Sequence, residues 1–170
     1  HRFEENKYPS TNIKINNFIE HLDLIKKNHF KLVNPNNFEN ALLKQKNEKK
    51  ILLTIDDGFK SFYENAWPIL KKREIPFILF VNTREVGAYN YMDWPQIKEI
   101  AKEKFVHIGN HSFSHEYLVD KKNKEIIHDI NLAKRDLKNN LGYNSPFFSY
   151  PFGEYSNNFK KIIKDFGFKY

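Results

Sequence analysis

Residues 51–58 read ILLTIDDG, in which a run that favours a buried strand leads directly into two carboxylates and a glycine. The same order recurs further along the chain, where FVHI at 105–108 precedes HSFSH at 111–115 and FFSY at 147–150 precedes PFG at 151–153. The carboxyl ends of parallel strands share one rim of an α/β fold, and ligands bind at that rim. We therefore expect the three polar clusters to meet in space.

The segments between these clusters alternate between helix and strand patterns. Apolar spacing and end signals predict a further strand at 77–81 and helices at 17–28, 61–72, 93–104, 123–141 and 157–166. Asn16 or Asn17 is expected to cap the first of these helices and Asp93 the third, whereas Gly142 and Gly167 are expected to end the last two. Pro68 is expected to break or kink its helix, and a shorter helix after Pro35 is expected to bury Phe38 and Leu42. The alternation predicts a parallel sheet covered by helices, built as an open doubly wound sheet or as a barrel.

Length and composition indicate one folded domain. The chain has 170 residues, of which 40% are hydrophobic and 16% aromatic, which is enough to bury a core. A complete eight-fold barrel typically takes about 250 residues, so a barrel built from this chain would be incomplete. We expect a single domain over residues 1–170 that is truncated at both ends, since no Met precedes His1 and residues 168–170 look like the start of a strand.

The net charge and the residue composition limit the classes of partner and of metal site that the chain can have. The net charge of +7 comes mainly from lysines scattered among Asn and Glu, without a dense basic tail, which argues against a nucleic-acid partner. No apolar run is long enough to span a membrane. The chain has no Cys, so a metal site would have to use histidines and carboxylates.

The adjacent carboxylates of Asp56 and Asp57 are costly to hold together unless a cation or a shared proton relieves their repulsion. With a divalent cation, one Asp could serve as a ligand and the other as a general base, because their environments would differ. The alternative is a surface Asp-Asp-Gly turn, in which both residue types are common.

His111 and His115 have i, i+4 spacing, which predicts both imidazoles on one side of a helical turn and suits an ion such as zinc. Two histidines and one carboxylate with an open position form a hydrolytic metal site. The alternative is a solvated loop. The other histidines show no partner pattern, and His1 stays unassigned.

The third cluster, at 151–153, contributes through the conformation of its backbone rather than through reactive side chains. Pro151 fixes the chain and Gly153 permits a sharp turn, so the N–H of Phe152 could point into a site and stabilise an oxyanion. An ordinary Pro-Phe-Gly turn is the alternative.

Taken in order, TIDDG at 54–58, HSFSH at 111–115 and FSYPFG at 148–153 resemble the motifs of polysaccharide deacetylases of the NodB-homology group, carbohydrate esterase family four. Residues 1–46 resemble the N-terminal part of the bacterial poly-N-acetylglucosamine deacetylase branch. The resemblance implies a deformed (β/α) barrel, incomplete in this chain. It also implies metal-dependent removal of N-acetyl groups from a glycan containing N-acetylglucosamine, with release of acetate and a free amine.

By motif position, the resemblance implies that Asp56 is the catalytic base and that Asp57, His111 and His115 hold the metal. The metal would be zinc, with cobalt, nickel or iron as alternatives. The substrate would be an N-acetylated polysaccharide, and the protein would act outside the cytoplasm.

The resemblance also implies that Pro151 and Phe152 form the groove, with the Phe152 amide helping to hold the oxyanion. Ser149 stands where the family often has an Arg that orients the base, and Phe152 stands where it often has Tyr. The late Leu-x-His motif, which carries the general acid, has no counterpart before Tyr170. Either the chain is a truncated piece of a longer enzyme that carries the acid, which we favour, or another group supplies the acid.

Two other functions fit the same residues. One is a catalytically weak, deacetylase-like module that holds an acetylated glycan through aromatic residues such as Trp94, Tyr150 and Phe152. The other is a metal hydrolase of the same architecture that acts on a different amide or ester.

Overall fold

A computed structural model describes residues 1–43 and 48–170; the end of the segment 1–46 therefore lies outside the described residues. The strands are β1 Arg2–Phe3, β2 Asn12–Ile13, β3 Lys31–Leu32, β4 Lys50–Ile51, β5 Leu53–Ile55, β6 Phe77–Val81 and β7 Val106–Asn110. The α-helices are α1 Ile15–Lys27, α2 Phe38–Leu43, α3 Trp67–Lys72, α4 Trp94–Ala101, α5 Asn123–Leu141 and α6 Asn157–Asp165. No helix within the described ranges has the length and apolar character needed to cross a membrane.

A three-stranded parallel sheet in the order β5-β6-β7 lies at the centre of the molecule. All five residues of β6 are buried, as expected for the middle strand of a sheet covered on both faces. Gly109 of β7 is required here, because a Cβ at this position would lie 2.4 Å from ring atoms of Phe80 on the neighbouring strand. The predicted parallel α/β architecture is confirmed.

The predicted cap at Asp93 and the predicted helix ends next to Gly142 and Gly167 are confirmed, although α4 ends at Ala101 rather than near Lys104. Asp93 caps α4 through a capping box with Gln96. The helix α5 ends at Gly142, whose φ of +82° is readily adopted by glycine. Ser156 caps α6, and Gly167 follows its end.

Several predicted elements are wrong in detail. The predicted helix at 61–72 consists of a π-helix, Phe62–Ala66, followed by α3, and the change between them falls next to Pro68, which lies in the first turn of α3. The predicted strand at 51–55 is divided at Leu52, because β4 pairs with β3 whereas β5 pairs with β6. Leu42 on α2 is 63% exposed and is not part of the core.

The N-terminal helix and the segment 147–150 also differ from the prediction. Lys14, rather than an Asn, precedes the first turn of α1. Residues 147–150 form a single parallel bridge, Asn110↔Phe148, rather than a strand. The prolines on either side of this segment lack the N–H that a longer ladder would need. Its extended backbone is still bonded on both sides, since Ser149 N donates to Asn110 O and Phe148 N donates to Tyr170 O.

The buried side chains form several clusters. A main aromatic and aliphatic cluster includes Phe3, Phe18, Phe62, Trp67 and Phe77. A second cluster joins α5 and α6 to the 147–150 segment through Ile130, Phe148 and Phe159. Phe3 belongs to the main cluster, so the N-terminal strand β1 is anchored beside the sheet and not left as a loose end.

Candidate active site

The predicted polar clusters meet at the carboxyl-end rim of the central sheet. Asp57 follows β5, and His111 follows β7. His111 Nε2 lies 3.4 Å from Asp57 Oδ1, and His115 Nε2 lies 3.2 Å from the same oxygen. The three side chains thus offer ligand atoms that all lie within 4.8 Å of one another.

The turn after β5 determines the orientation of the Asp57 carboxylate. Asp57 has a φ of +76° and Gly58 a φ of +79°. Asp is one of the few residues that adopt this left-handed conformation readily, and Gly adopts it without strain. The backbone reversal separates Asp57 from its neighbour Asp56, which is the first requirement for giving two adjacent carboxylates different roles.

The predicted helical turn at 111–115 is wrong. The segment is a loop in which Ser112 and His115 have positive φ values of +66° and +53°. Side chains tie the loop together: Asn110 Oδ1 accepts from Ser112 N at 2.8 Å, and Ser112 Oγ accepts from His115 N at 3.0 Å. The two imidazoles meet through this loop geometry rather than through helical spacing, with ring centroids 4.8 Å apart.

A hydrogen bond orients His111, which is 2% exposed. Its Nδ1 lies 2.8 Å from Ser149 O, and a carbonyl oxygen only accepts, so Nδ1 carries the proton. In the neutral ring, Nε2 therefore presents a lone pair towards Asp57. Orientation of a ligating His by a backbone carbonyl is the usual outer-shell arrangement of metal sites.

The donor set fits a divalent cation. Asp57 Oδ1 is buried and has no hydrogen-bond partner among the described residues, because the two imidazole nitrogens approach it without normal hydrogen-bond geometry. An oxygen carrying negative charge that faces a nitrogen lone pair is left uncompensated unless a cation lies between them. One carboxylate and two imidazoles are also the donor types that Zn²⁺ and related ions take.

The charges around Asp57 favour its anionic form. Burial alone would raise the pKa of this carboxyl, but the hydrogen bond from His1 and the two nearby imidazoles outweigh burial and hold the pKa far below its usual range. The hydrogen bond to Asp57 in turn raises the pKa of His1. The Asp57 carboxylate is thus already anionic, and it does not need to lose a proton when a metal binds.

Asp56 has a different environment. Its Oδ2 lies 3.4 Å from Ser149 Oγ, and its buried Oδ1 has no hydrogen-bond partner among the described residues. A hydroxyl thus occupies the place where the resemblance led us to look for an Arg. The free oxygen leaves Asp56 able to accept a proton.

His1 is a site residue that the sequence reasoning left unassigned. Its Nδ1 lies 2.8 Å from Asp57 Oδ2, the carboxylate oxygen that does not face the other two imidazoles. The strand β1 places it there, since Phe3 N donates to Ser61 Oγ and the Arg2 guanidinium lies 3.5 Å from the Phe59 ring centroid. Its position in the segment resembling the poly-N-acetylglucosamine deacetylase branch was the sequence signal available.

The Pro-Phe-Gly cluster lies beside the histidine pair. Pro151 is buried, whereas Phe152 has a φ of +59° and is 59% exposed. The Phe152 ring contacts His115 at a centroid distance of 4.7 Å and Tyr117 at 4.9 Å. An exposed aromatic surface, made of Phe152 and Tyr117, thus continues outward from the candidate metal site.

The other aromatics proposed for glycan binding are placed differently. Trp94 packs against the main core cluster. Tyr150 is partly buried, with its ring 5.1 Å from that of Phe159 in the second cluster. Of the three aromatics, Phe152 is therefore the one that presents most of its ring to solvent.

A parallel α/β sheet that carries an Asp-His-His group and a second carboxylate at its carboxyl-end rim defines a candidate metal-dependent hydrolase. Comparison with known families makes this assignment specific. The chain belongs to the polysaccharide deacetylase family, whose sequence model matches residues 43–170. The resemblance stated from the three motifs is confirmed.

Individual relatives support the same assignment. A poly-beta-1,6-N-acetyl-D-glucosamine N-deacetylase of Staphylococcus aureus is 29% identical over 136 residues, which are 72% of this chain and 47% of that protein. The structure of IcaB from Ammonifex degensii matches with a TM-score of 0.86 at 28% identity, covering 92% of this chain and 74% of the other. These relatives support the resemblance to the poly-N-acetylglucosamine deacetylase branch.

A more distant structure has the same fold. The Streptococcus pyogenes deacetylase PplD, solved with acetate, matches with a TM-score of 0.88 at 22% identity, covering 99% of this chain and 78% of the other. The predicted NodB-type α/β fold is therefore confirmed. The chain spans about half the length of the curated relatives it matches, 55% of one and 47% of another.

Proposed function

We propose that this protein is a metal-dependent N-deacetylase of poly-N-acetylglucosamine or a closely related glycan, acting outside the cytoplasm. The observation that carries the proposal is the buried, unpartnered Asp57 Oδ1 facing two imidazole nitrogens, beside a second carboxylate in a different environment. Family membership supplies the class of reaction, hydrolysis of acetyl groups on a polysaccharide.

Asp57, His111 and His115 would hold the ion, with zinc as the proposed metal and cobalt, nickel or iron as alternatives. A divalent ion bound there would polarise the acetamide carbonyl and make water more acidic. Asp57 contributes the charge, and the His111 bond to Ser149 O fixes the direction of one imidazole before the ion arrives. The site is therefore largely organised by the protein itself.

Amide hydrolysis needs a base for the attacking water and an acid for the leaving nitrogen. The oxygen of water forms a bond to the carbonyl carbon, the carbon–nitrogen bond breaks, and acetate and an amine leave. We assign the base to Asp56, whose buried Oδ1 is free to accept the proton of that water. Ser149 Oγ, 3.4 Å from the other oxygen, holds the carboxylate in place.

We assign the acid to His1. Its side chain is 42% exposed and touches the site through Asp57 Oδ2, and its raised pKa favours the protonated ring that an acid requires. A protonated imidazole can give its proton to the leaving amine, which is otherwise a poor leaving group. This assignment takes up the alternative in which a group other than the late motif supplies the acid.

The third cluster would bind the substrate. Pro151 and the strained backbone of Phe152 form one wall, and we propose that the Phe152 N–H stabilises the developing oxyanion. The exposed rings of Phe152 and Tyr117 offer flat apolar surfaces of the kind that pack against sugar rings.

The test measures acetate release from N-acetylglucosamine oligomers by the chain stripped of metal and then reloaded with Zn²⁺ or Co²⁺. We expect metal-dependent release that D56N lowers by at least about a hundredfold. D56N should still bind one equivalent of metal, which separates loss of the base from loss of the site. Intact oligomers after incubation with metal-saturated protein would refute the deacetylase assignment and favour a glycan-binding module or another acyl substrate.

A further inference from the structure

A buried carboxylate outside the proposed chemistry supports the loop that carries the two histidines. Asp129 lies on α5 and is 7% exposed. Its Oδ1 accepts from Phe113 N at 2.8 Å, and its Oδ2 accepts from Ser114 N at 3.0 Å. These two amides lie in the middle of the 111–115 loop.

The two oxygens of the Asp129 carboxylate pair with the two backbone N–H groups of the loop, an arrangement that few other side chains could provide. Each carboxylate oxygen takes one N–H, so both backbone donors have an acceptor on the same side chain. The amide of Asn would turn its NH₂ group towards one of the two backbone donors, leaving that N–H unpaired in a part-buried place. The helix that carries Asp129 is fixed in turn, because its neighbour Ile130 is fully buried in the second core cluster.

The loop needs such support. Ser112 and His115 both have left-handed backbone conformations, which are unfavourable in residues other than glycine and persist only when the surroundings impose them. Asn110 and Ser112 hold the two ends of the loop from within. Asp129 holds its middle from α5, outside the loop.

The position of His115 depends on this support of the loop more than the position of His111 does. His111 is 2% exposed and is fixed by Ser149 O. The His115 side chain is 23% exposed, so the position of its Nε2 depends more on the backbone that carries it.

From these observations we propose that Asp129 is a positioning residue: it fixes the 111–115 loop so that His115 faces Asp57 before any metal binds. The inference rests on the proposed metal site and extends it to a side chain that touches neither metal nor substrate. Its consequence is a preformed site, in which little ordering of the loop remains to oppose metal binding.

The test compares D129N with D136N. Asp136 lies on the same helix and accepts from Thr83 Oγ1 at 3.1 Å, a bond that the Oδ1 of Asn can keep. D136N therefore removes an equal charge from α5 while leaving the hydrogen bonds of the loop in place. Zn²⁺ affinity is measured by competition with a chelator, and the geometry of the site is followed by the visible spectrum of bound Co²⁺. We expect D129N to weaken Zn²⁺ binding about tenfold or more and to alter the Co²⁺ spectrum, as changes in outer-shell partners do. D136N should leave both readouts unchanged.

Wild-type affinity and a wild-type Co²⁺ spectrum in a folded D129N protein would overturn the proposal. Should D129N not fold, hydrogen exchange in the metal-free wild type decides, because a preformed loop protects the Phe113 and Ser114 amides as well without metal as with it. Free exchange of these amides in the metal-free protein would equally overturn the proposal. None of these measurements uses substrate, so an inactive enzyme that binds metal would refute the proposed function and leave this proposal standing.

Discussion

His1 Nδ1 lies 2.8 Å from Asp57 Oδ2, so the first residue of the chain contacts the carboxylate that faces His111 and His115. The contact uses the carboxylate oxygen that is turned away from those imidazoles. His1 can therefore take part in proton transfer without competing for the metal position. This arrangement leads to the first prediction.

Replacing His1 with Gln should lower kcat for acetate release by about 10²- to 10⁴-fold, the range for loss of a general acid or base. Gln keeps hydrogen-bonding capacity but cannot donate a proton to the amine. Metal stoichiometry should stay at the wild-type value. H21Q, at an exposed position on α1, is the matched control and should retain full activity. Wild-type turnover by H1Q would exclude His1 as the acid.

Removing either histidine of the pair should abolish stoichiometric metal binding, but the two substitutions should differ in their effect on stability. H111A leaves a cavity and deprives Ser149 O of its partner, so we expect it to reduce the free energy of unfolding by about 1–3 kcal/mol. H115A removes a more exposed ring and should cost less. Metal content after dialysis, together with urea unfolding of the metal-free proteins, tests both statements. Full metal occupancy in both variants would contradict the ligand assignment.

Replacing Tyr117 with Ala should raise KM for N-acetylglucosamine oligomers several-fold while leaving metal affinity unchanged. The Tyr117 ring is 45% exposed and contacts Phe152, so its loss removes apolar surface next to the site without touching a proposed ligand. Y155A is the control, because Tyr155 is similarly exposed but its ring is approached by Lys160 rather than by the histidine pair. An equal rise in KM for Y155A would show that the effect is not specific to this surface.

His107 should make the stability of the protein depend on pH at the opposite end of β7. Its ring lies 3.0 Å from Asn36 Oδ1 and from Ser145 Oγ, and burial lowers its pKa to about 4. The unfolded chain, with an ordinary His pKa near 6.5, takes up a proton before the folded chain does. Stability is therefore complete above about pH 6.5 and is lost as the pH falls towards 4.

Between pH 7.5 and pH 5 this single group should lower the free energy of unfolding by about 2 kcal/mol. Urea unfolding at both pH values, on the wild type and on H107Q, measures the effect. H107Q should show a smaller difference between the two pH values, because Gln does not titrate. An identical pH dependence in the two proteins would assign the effect to other groups.

The sequence predicted the parts of the fold that depend on local signals. The buried strand at 77–81, the cap at Asp93 and the end of α5 at Gly142 are all set by residues within a few positions of one another. The family could be predicted from the order of three short motifs, because that order is visible in a single sequence without a structure.

The sequence could not predict features set by distant partners. His1 reaches its place through a bond from Phe3 N to Ser61 Oγ, 58 residues away. The 111–115 loop has helical spacing, but its positive φ values are imposed by Asn110 and by Asp129 on a later helix. The two prolines around 147–150 limited pairing in a segment whose composition favours a strand.

The candidate ligands follow strands β5 and β7, with the buried strand β6 between them, so no short piece of the chain contains the whole set. An unfolded chain would bind the ion much more weakly, and mass action then makes metal a stabiliser of the entire domain. At a free metal concentration of a hundred times Kd, this linkage adds about 2.7 kcal/mol to the free energy of unfolding. The melting temperature would therefore rise with each increment of metal, and a thermal scan would report on occupancy of the site in the absence of any substrate.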